Sequence, residues 1–164
     1  MHAPVFIQFI PAKKGKTHVL HIIRELLSFE PTSTGTDIAQ ALQYFSNAQK
    51  RHCTAFLISD FIGAGAMYKP LLIASNRHEV NAIQIYDRRE AELPNVGLVK
   101  FHDAETGGDL WVDTAIASLR NNYAQAWRDN QDEMQQLFTR TGINHISIRT
   151  DEDYVKALMH LFRC

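Results

Sequence analysis

The sequence is poor in most of the features that would point quickly to a function. Cysteine occurs twice in 164 residues, at Cys53 and at the terminal Cys164. Two thiols so far apart exclude a disulfide-built scaffold and fit a reducing, cytoplasmic setting. No apolar run approaches the ~20 residues that span a bilayer. The apolar stretch at residues 5–10 is short, and its basic neighbours follow it instead of preceding it, which does not match a secretory leader. An excess of charge of one sign is lacking too. The 17 Lys and Arg stand against 18 Asp and Glu, so the net charge is -1. That balance argues against nucleic acid, whose binders carry a basic domain or stripe, and against an anionic membrane surface. There is no internal repeat, no low-complexity segment and no linker. The length suits one domain over residues 1–164 with a core of its own.

What is present is an alternation of strand and helix patterns. Residues 5–10, closed by Pro11, suit an edge strand. Gly15-Lys16-Thr17 opens a helix through Phe29, with Thr17 as its cap and Val19, Ile22, Ile23, Leu26 and Leu27 at helical spacing. After a loop at residues 31–35, Thr36 caps a second helix carrying Ile38, Ala41, Leu42 and Phe45. Residues 54–60 are nearly all apolar and end in Asp60, as a parallel strand buried on both faces does. Gly63 and Gly65 break the chain before a helix at residues 67–77. A second buried strand at residues 80–86 ends at Asp87. Residues 98–101 and 110–112 flank a glycine turn and read as a β-hairpin. Ile116, Leu119, Tyr123, Trp127, Met134, Leu137 and Phe138 keep one face of a long helix that Gly142 ends. A short strand at residues 145–149 follows, and Thr150 caps a last helix. The fold class is α/β: a mostly parallel sheet with helices on both faces, plus a β-hairpin insertion.

Several motifs come close to a chemistry. Lys14-Gly15-Lys16-Thr17 resembles the end of a phosphate-binding loop, and residues 56–60 could serve as its magnesium-binding strand. The full pattern needs a glycine where this chain has Ile10, followed by Pro11, and both obstruct a loop that curls its amides around phosphate. His18 and His21 are spaced to share a metal, yet no third ligand follows, so they read as the polar side of a helix. Asp103, Glu105 and Asp109 match a calcium loop in charge only and read as a solvated turn. Cys53 reads as a packed thiol, and Trp111 and Trp127 as core anchors. No Gly-x-Ser-x-Gly elbow occurs, and no Ser or Cys is set beside a His in a known catalytic pattern.

Two loop features remain: Gly35-Thr36-Asp37 opening a helix and Ser59-Asp60 ending a strand. Ligands of open parallel sheets collect beyond the carboxyl ends of the strands. A Thr36 hydroxyl and an Asp60 carboxylate brought together there would be hard oxygen donors suited to magnesium, although a helix cap and a strand-end carboxylate explain the same residues.

The blocks Pro11 to His18, Gly35-Thr36-Asp37-Ile38 with Ala41-Leu42, Leu57 to Phe61, Tyr86 to Glu90 with Leu93-Pro94, and Asp103 to Gly107 together resemble one family. It is the bacterial von Willebrand factor A-like proteins encoded beside MoxR-type AAA ATPases, a group of largely unknown function. The resemblance implies a Rossmann-like fold and a metal-ion-dependent adhesion site, with Thr36 and Asp60 as the second-loop and third-loop ligands. The first loop of that site, Asp-x-Ser-x-Ser, has no counterpart here. The resemblance thus describes a truncated domain, lacking its first strands, with an incomplete magnesium site of weak or no affinity. It implies a cytoplasmic, non-catalytic module that binds protein, with a MoxR-like ATPase as a partner. Loss of a neighbouring strand would leave residues 54–60 at an open sheet edge, from which a homodimer is expected. The alternative is a nucleotide- or phosphate-binding enzyme using Gly15, Lys16, Thr17 and Asp60.

Overall fold

The computed structural model describes residues 8–30, 37–62, 67–102 and 108–161. In chain order these form α1 (Lys16–Ser28), α2 (Ile38–Ala48), β1 (Thr54–Ser59), α3 (Tyr68–Ser75), β2 (Glu79–Tyr86), α4 (Arg88–Ala91), β3 (Leu98–His102), β4 (Asp109–Asp113), α5 (Ala117–Thr141), β5 (Asn144–Arg149) and α6 (Tyr154–Leu161). The main sheet has the order β1-β2-β5 and is wholly parallel. Parallel neighbours need a crossover, which α3 supplies between β1 and β2 and α5 supplies before β5. The hairpin β3–β4 is a separate antiparallel sheet. The α/β class and the mostly parallel sheet agree with the sequence reading.

Strand alternation decides which side chains meet which helix layer. On one face Val80 and Ala82 of β2 join Leu42 of α2, Leu71 and Ala74 of α3, and Met134 and Phe138 of α5 in the main core. The opposite face carries Ile83 and Ile148, covered by Leu161 of α6. Helix α5 runs 25 residues and ends at Gly142, whose φ of 66° is the left-handed cap glycine adopts without strain. None of these helices is long and apolar enough to cross a membrane among the described residues.

Several expectations need correction. Strand β1 is not buried on both faces: its residues alternate between exposed and half-buried, and Ile58 is 59% exposed. Among the described residues it lies at the sheet edge, and α6 covers the neighbouring strands more fully than it covers β1. Of residues 5–10, Gln8 to Ile10 form no strand and the rest lie outside the described residues. Gly15, at φ 102°, is the N-cap of α1, and Thr17 sits inside the first turn. Helix α2 is capped by Asp37, whose Oδ1 accepts from the Gln40 amide at 2.8 Å, so the cap is one residue later than expected. Before α6 the Val155 amide donates to Asp153 Oδ1 at 3.0 Å, whereas Thr150 donates its hydroxyl to Asp87 Oδ2 at 3.2 Å. Trp111 is no core anchor, being 62% exposed on β4. Trp127 is half-buried, its ring 5.1 Å from that of Tyr86. Most apolar residues of α1 are also outward: Val19, Leu20, Ile23, Leu26 and Leu27 are exposed and Ile22 is half-buried, and a Gln8–Glu25 hydrogen bond of 2.9 Å ties the helix to the preceding segment.

Candidate functional site

All three strands of the main sheet run the same way, so Asp60, Asp87 and Thr150 arrive together along its carboxyl edge. The turn after β1 is built most tightly. Ser59 Oγ donates to Asp60 Oδ1 at 3.3 Å and accepts from the Phe61 amide at 3.0 Å. The Ile62 amide donates to the same Asp60 oxygen at 3.2 Å. Phe61 has a φ of 57°, the only non-glycine residue with positive φ among those described. A left-handed backbone costs an L-residue roughly 1–2 kcal/mol, and such strain concentrates where a fold must aim a particular group. The surroundings hold Phe61 in place: it is 1% exposed and meets Phe138 edge-to-face at 5.3 Å. The ring is buried, the backbone turns back, and the Asp60 carboxylate is left exposed at the surface.

A second anchor comes from β2. Gln84 is 1% exposed; its Nε2 donates to the Asp60 main-chain carbonyl at 3.3 Å, and its Oε1 accepts from Ser147 Oγ at 2.7 Å. A buried amide with both ends paired stabilises what it joins, here the Asp60 turn to β5. Beside Phe61 a cleft of about 270 Å³ opens between α3 and α5, lined by Tyr68, Met134, Glu133 and Arg140 among others. The sequence reading missed Gln84, Phe61 and this cleft. Gln84 sits inside an apolar run and its partners are 24 and 63 residues away, so no local signal betrays it.

The neighbouring strand end is also ordered by side chains. Asp87 and Glu90 form a capping box at the start of α4: Asp87 Oδ1 accepts from the Arg89 amide at 2.8 Å, and Glu90 Oε1 accepts from the Asp87 amide at 3.1 Å. The Asp-x-x-Glu spacing is the signal that could have found α4. Tyr123 donates to the Arg89 carbonyl at 3.2 Å, and burial, then the Glu90 charge, pushes its hydroxyl above the ordinary tyrosine range.

The remaining candidates separate. Thr36 lies outside the described residues, so only Asp60 of that pair is placed. Asp60 is one hard donor with an oxygen already accepting two hydrogen bonds, and no group of three His, Cys, Asp or Glu suited to a metal occurs among the described residues. Gly15, Lys16 and Thr17 open α1 and are all exposed. His18 and His21 stand with ring centroids 6.3 Å apart, and His21 Nδ1 lies 3.6 Å from the Glu25 carboxylate. Asp103 and Glu105 fall outside the described residues. Asp109 is engaged at both oxygens, by Lys100 Nζ at 2.6 Å and His102 Nδ1 at 2.9 Å. Lys100, then His102, holds its carboxyl below the usual range, and a carboxylate so neutralised is a poor calcium donor. Cys53 is half-buried, 3.6 Å from His78 Nδ1.

Comparison with known proteins places this sequence in a family. Uncharacterized proteins of Mycobacterium tuberculosis and Mycobacterium bovis are each 32% identical over 150 residues, covering 89% of this chain and 46% of theirs. The chain therefore spans about half the length of these relatives. An uncharacterized protein of Mycobacterium avium is 29% identical over 158 residues, covering 94% of this chain and 92% of its own length. No solved structure matches. The family model for a protein of unknown function, DUF58, matches residues 3–133, and the chain belongs to that family.

Proposed function

We propose that the chain is a non-catalytic, von Willebrand A-like interaction module whose working surface is the carboxyl end and the exposed face of β1. The observation that supports it best is the Asp60 turn, where a strained and doubly anchored backbone holds a carboxylate at the surface. Around that carboxylate are a serine hydroxyl that already donates to it, a backbone amide and a buried ring. Such groups present a carboxylate and hold it still, which suits a binding surface.

Strand β1 supplies the rest of the surface. Among the described residues it pairs with β2 alone, and Ile58 projects from it largely exposed. An edge of this kind accepts a further strand, main chain to main chain. A second copy of the chain is the proposed occupant, giving a homodimer. For the whole protein, the resemblance supports a MoxR-type ATPase as partner and a cytoplasmic location. Magnesium has at most an accessory part in this reading.

The test is backbone amide exchange across a concentration series. Amides of β1 should become more protected as concentration rises, and Ile58→Lys should abolish that rise without altering protection of β2. Protection of β1 that is independent of concentration would contradict the reading.

A further inference from the structure

Helix α1 turns its apolar face away from the rest of the chain. His18, Ile22 and Glu25 fall in one stripe at helical spacing, and they are the half-buried residues of the helix. Glu25 is held there from both sides: Gln8 Nε2 donates to one carboxylate oxygen at 2.9 Å, and His21 Nδ1 lies 3.6 Å from the other. The outward face carries Val19, Leu20, Ile23, Leu26 and Leu27, and the last two are 74% and 84% exposed. An amphipathic helix of a folded domain ordinarily faces the other way, with its apolar stripe on the core.

The charge beside that face is of one sign. Lys13 and Lys14 lead into the helix, Lys16 opens it and Arg24 lies on it, all four exposed. Among the described residues none of the four is in an ion pair. The nearby carboxylates are Glu25, on the inward stripe, and Glu30, beyond the helix end. The balanced charge of the whole chain conceals this local excess, because the remaining residues are acidic in sum.

A second copy of the chain is a poor cover for this face, since it would bring like charges together. A bilayer containing anionic lipid answers both features at once. Its headgroup boundary takes in an apolar face without shape complementarity, and its phosphates meet the lysines. Lys16 stands within the apolar arc at the helix start, where its stem can lie on that surface and carry the ammonium to the phosphates. The 13 residues of α1 make about 20 Å of helix, short of the ~30 Å hydrocarbon core, so the helix can lie in the surface and not cross it.

We propose that α1 is an interfacial helix that docks the chain on the surface of an anionic phospholipid bilayer. The proposal uses α1 and not the edge of β1, so it stands or falls apart from the homodimer.

The test is flotation of the full chain with vesicles of phosphatidylcholine and phosphatidylglycerol in equal parts, and with vesicles of phosphatidylcholine alone. The chain should rise with the mixed vesicles only, and added salt should release it. Leu26→Gln with Leu27→Gln should abolish flotation, and both positions are exposed, so the fold is kept. Lys13→Gln with Lys14→Gln should weaken binding about thirtyfold. No flotation with the mixed vesicles overturns the proposal, and so does flotation that survives either pair of substitutions. Equal flotation with both kinds of vesicle overturns it too, since anionic lipid would then play no part. If the leucine substitutions instead lower the mass of the chain in solution without lipid, a second copy covers α1 and the proposal falls.

Discussion

Gln84 Nε2 donates to the main-chain carbonyl of Asp60 at 3.3 Å, so the exposed carboxylate that ends β1 is tied to the middle strand of the sheet. The same side chain accepts from Ser147 on β5, which puts all three strands into one hydrogen-bonded chain across the carboxyl edge. Gln84→Ala would leave the Asp60 carbonyl and Ser147 Oγ without this partner and open a void at a site 1% exposed. A stability loss of roughly 2–4 kcal/mol is expected from urea unfolding, with Ser147→Ala costing nearer 1 kcal/mol. The two losses should not add in the double variant, because both report one chain of bonds. Strict additivity would show that Gln84 acts only by packing.

Phe61 carries a conflict that mutagenesis can separate. Its buried ring favours phenylalanine, and its φ of 57° favours glycine. Phe61→Ala loses the ring and keeps the strain, for a cost of about 3–5 kcal/mol. Phe61→Gly loses the ring and relieves the strain, so it should be more stable than Phe61→Ala by roughly 1 kcal/mol. Urea midpoints in the reverse order would mean that the turn is not strained.

His145 gives the fold an acid sensitivity of definite sign. Burial pushes its imidazole below the ordinary value of 6.5, and its ring lies 5.1 Å from that of Phe138. Below that ordinary value the unfolded chain takes up a proton that the folded chain resists, so stability falls as pH drops through about 6.5 and below. His145→Gln removes the titration. Its urea midpoint should therefore decline less than the parent's between about pH 7.5 and about pH 5.5. Equal declines would assign the acid sensitivity to other groups.

The sequence revealed the elements whose patterns are long or doubly signalled. Helix α5 has an apolar face sustained over 25 residues with glycine at its end, and β2 is an apolar run at the centre of the sheet. The caps were misplaced where two competent residues stand close together, Thr36 beside Asp37 and Thr150 three positions before Asp153, because either oxygen can serve and only the chain path selects one. Trp111 was misjudged because size alone suggests burial. In the hairpin it pairs with Lys100, and both residues are exposed.

The candidate site was half legible. Asp60 could be found as a carboxylate ending an apolar strand, a local pattern. The devices that hold it could not: a buried glutamine bonded to a serine 63 residues on, and a ring resting on a helix more than seventy positions later. Those pairings exist only once the crossovers have brought β1, β2, β5 and α5 together. The burial of β1 was overestimated for the complementary reason. Composition marks a strand as apolar, but not whether a neighbour covers it.

The most direct test of the interaction surface is the mass of the chain in solution by light scattering at micromolar concentration, with and without magnesium. The account predicts a species of twice the 18.7 kDa chain mass in both conditions, and the single-chain mass for a folded Ile58→Lys variant. A well-folded parent chain that stays strictly monomeric would contradict it, since β1 would then have no second copy to meet.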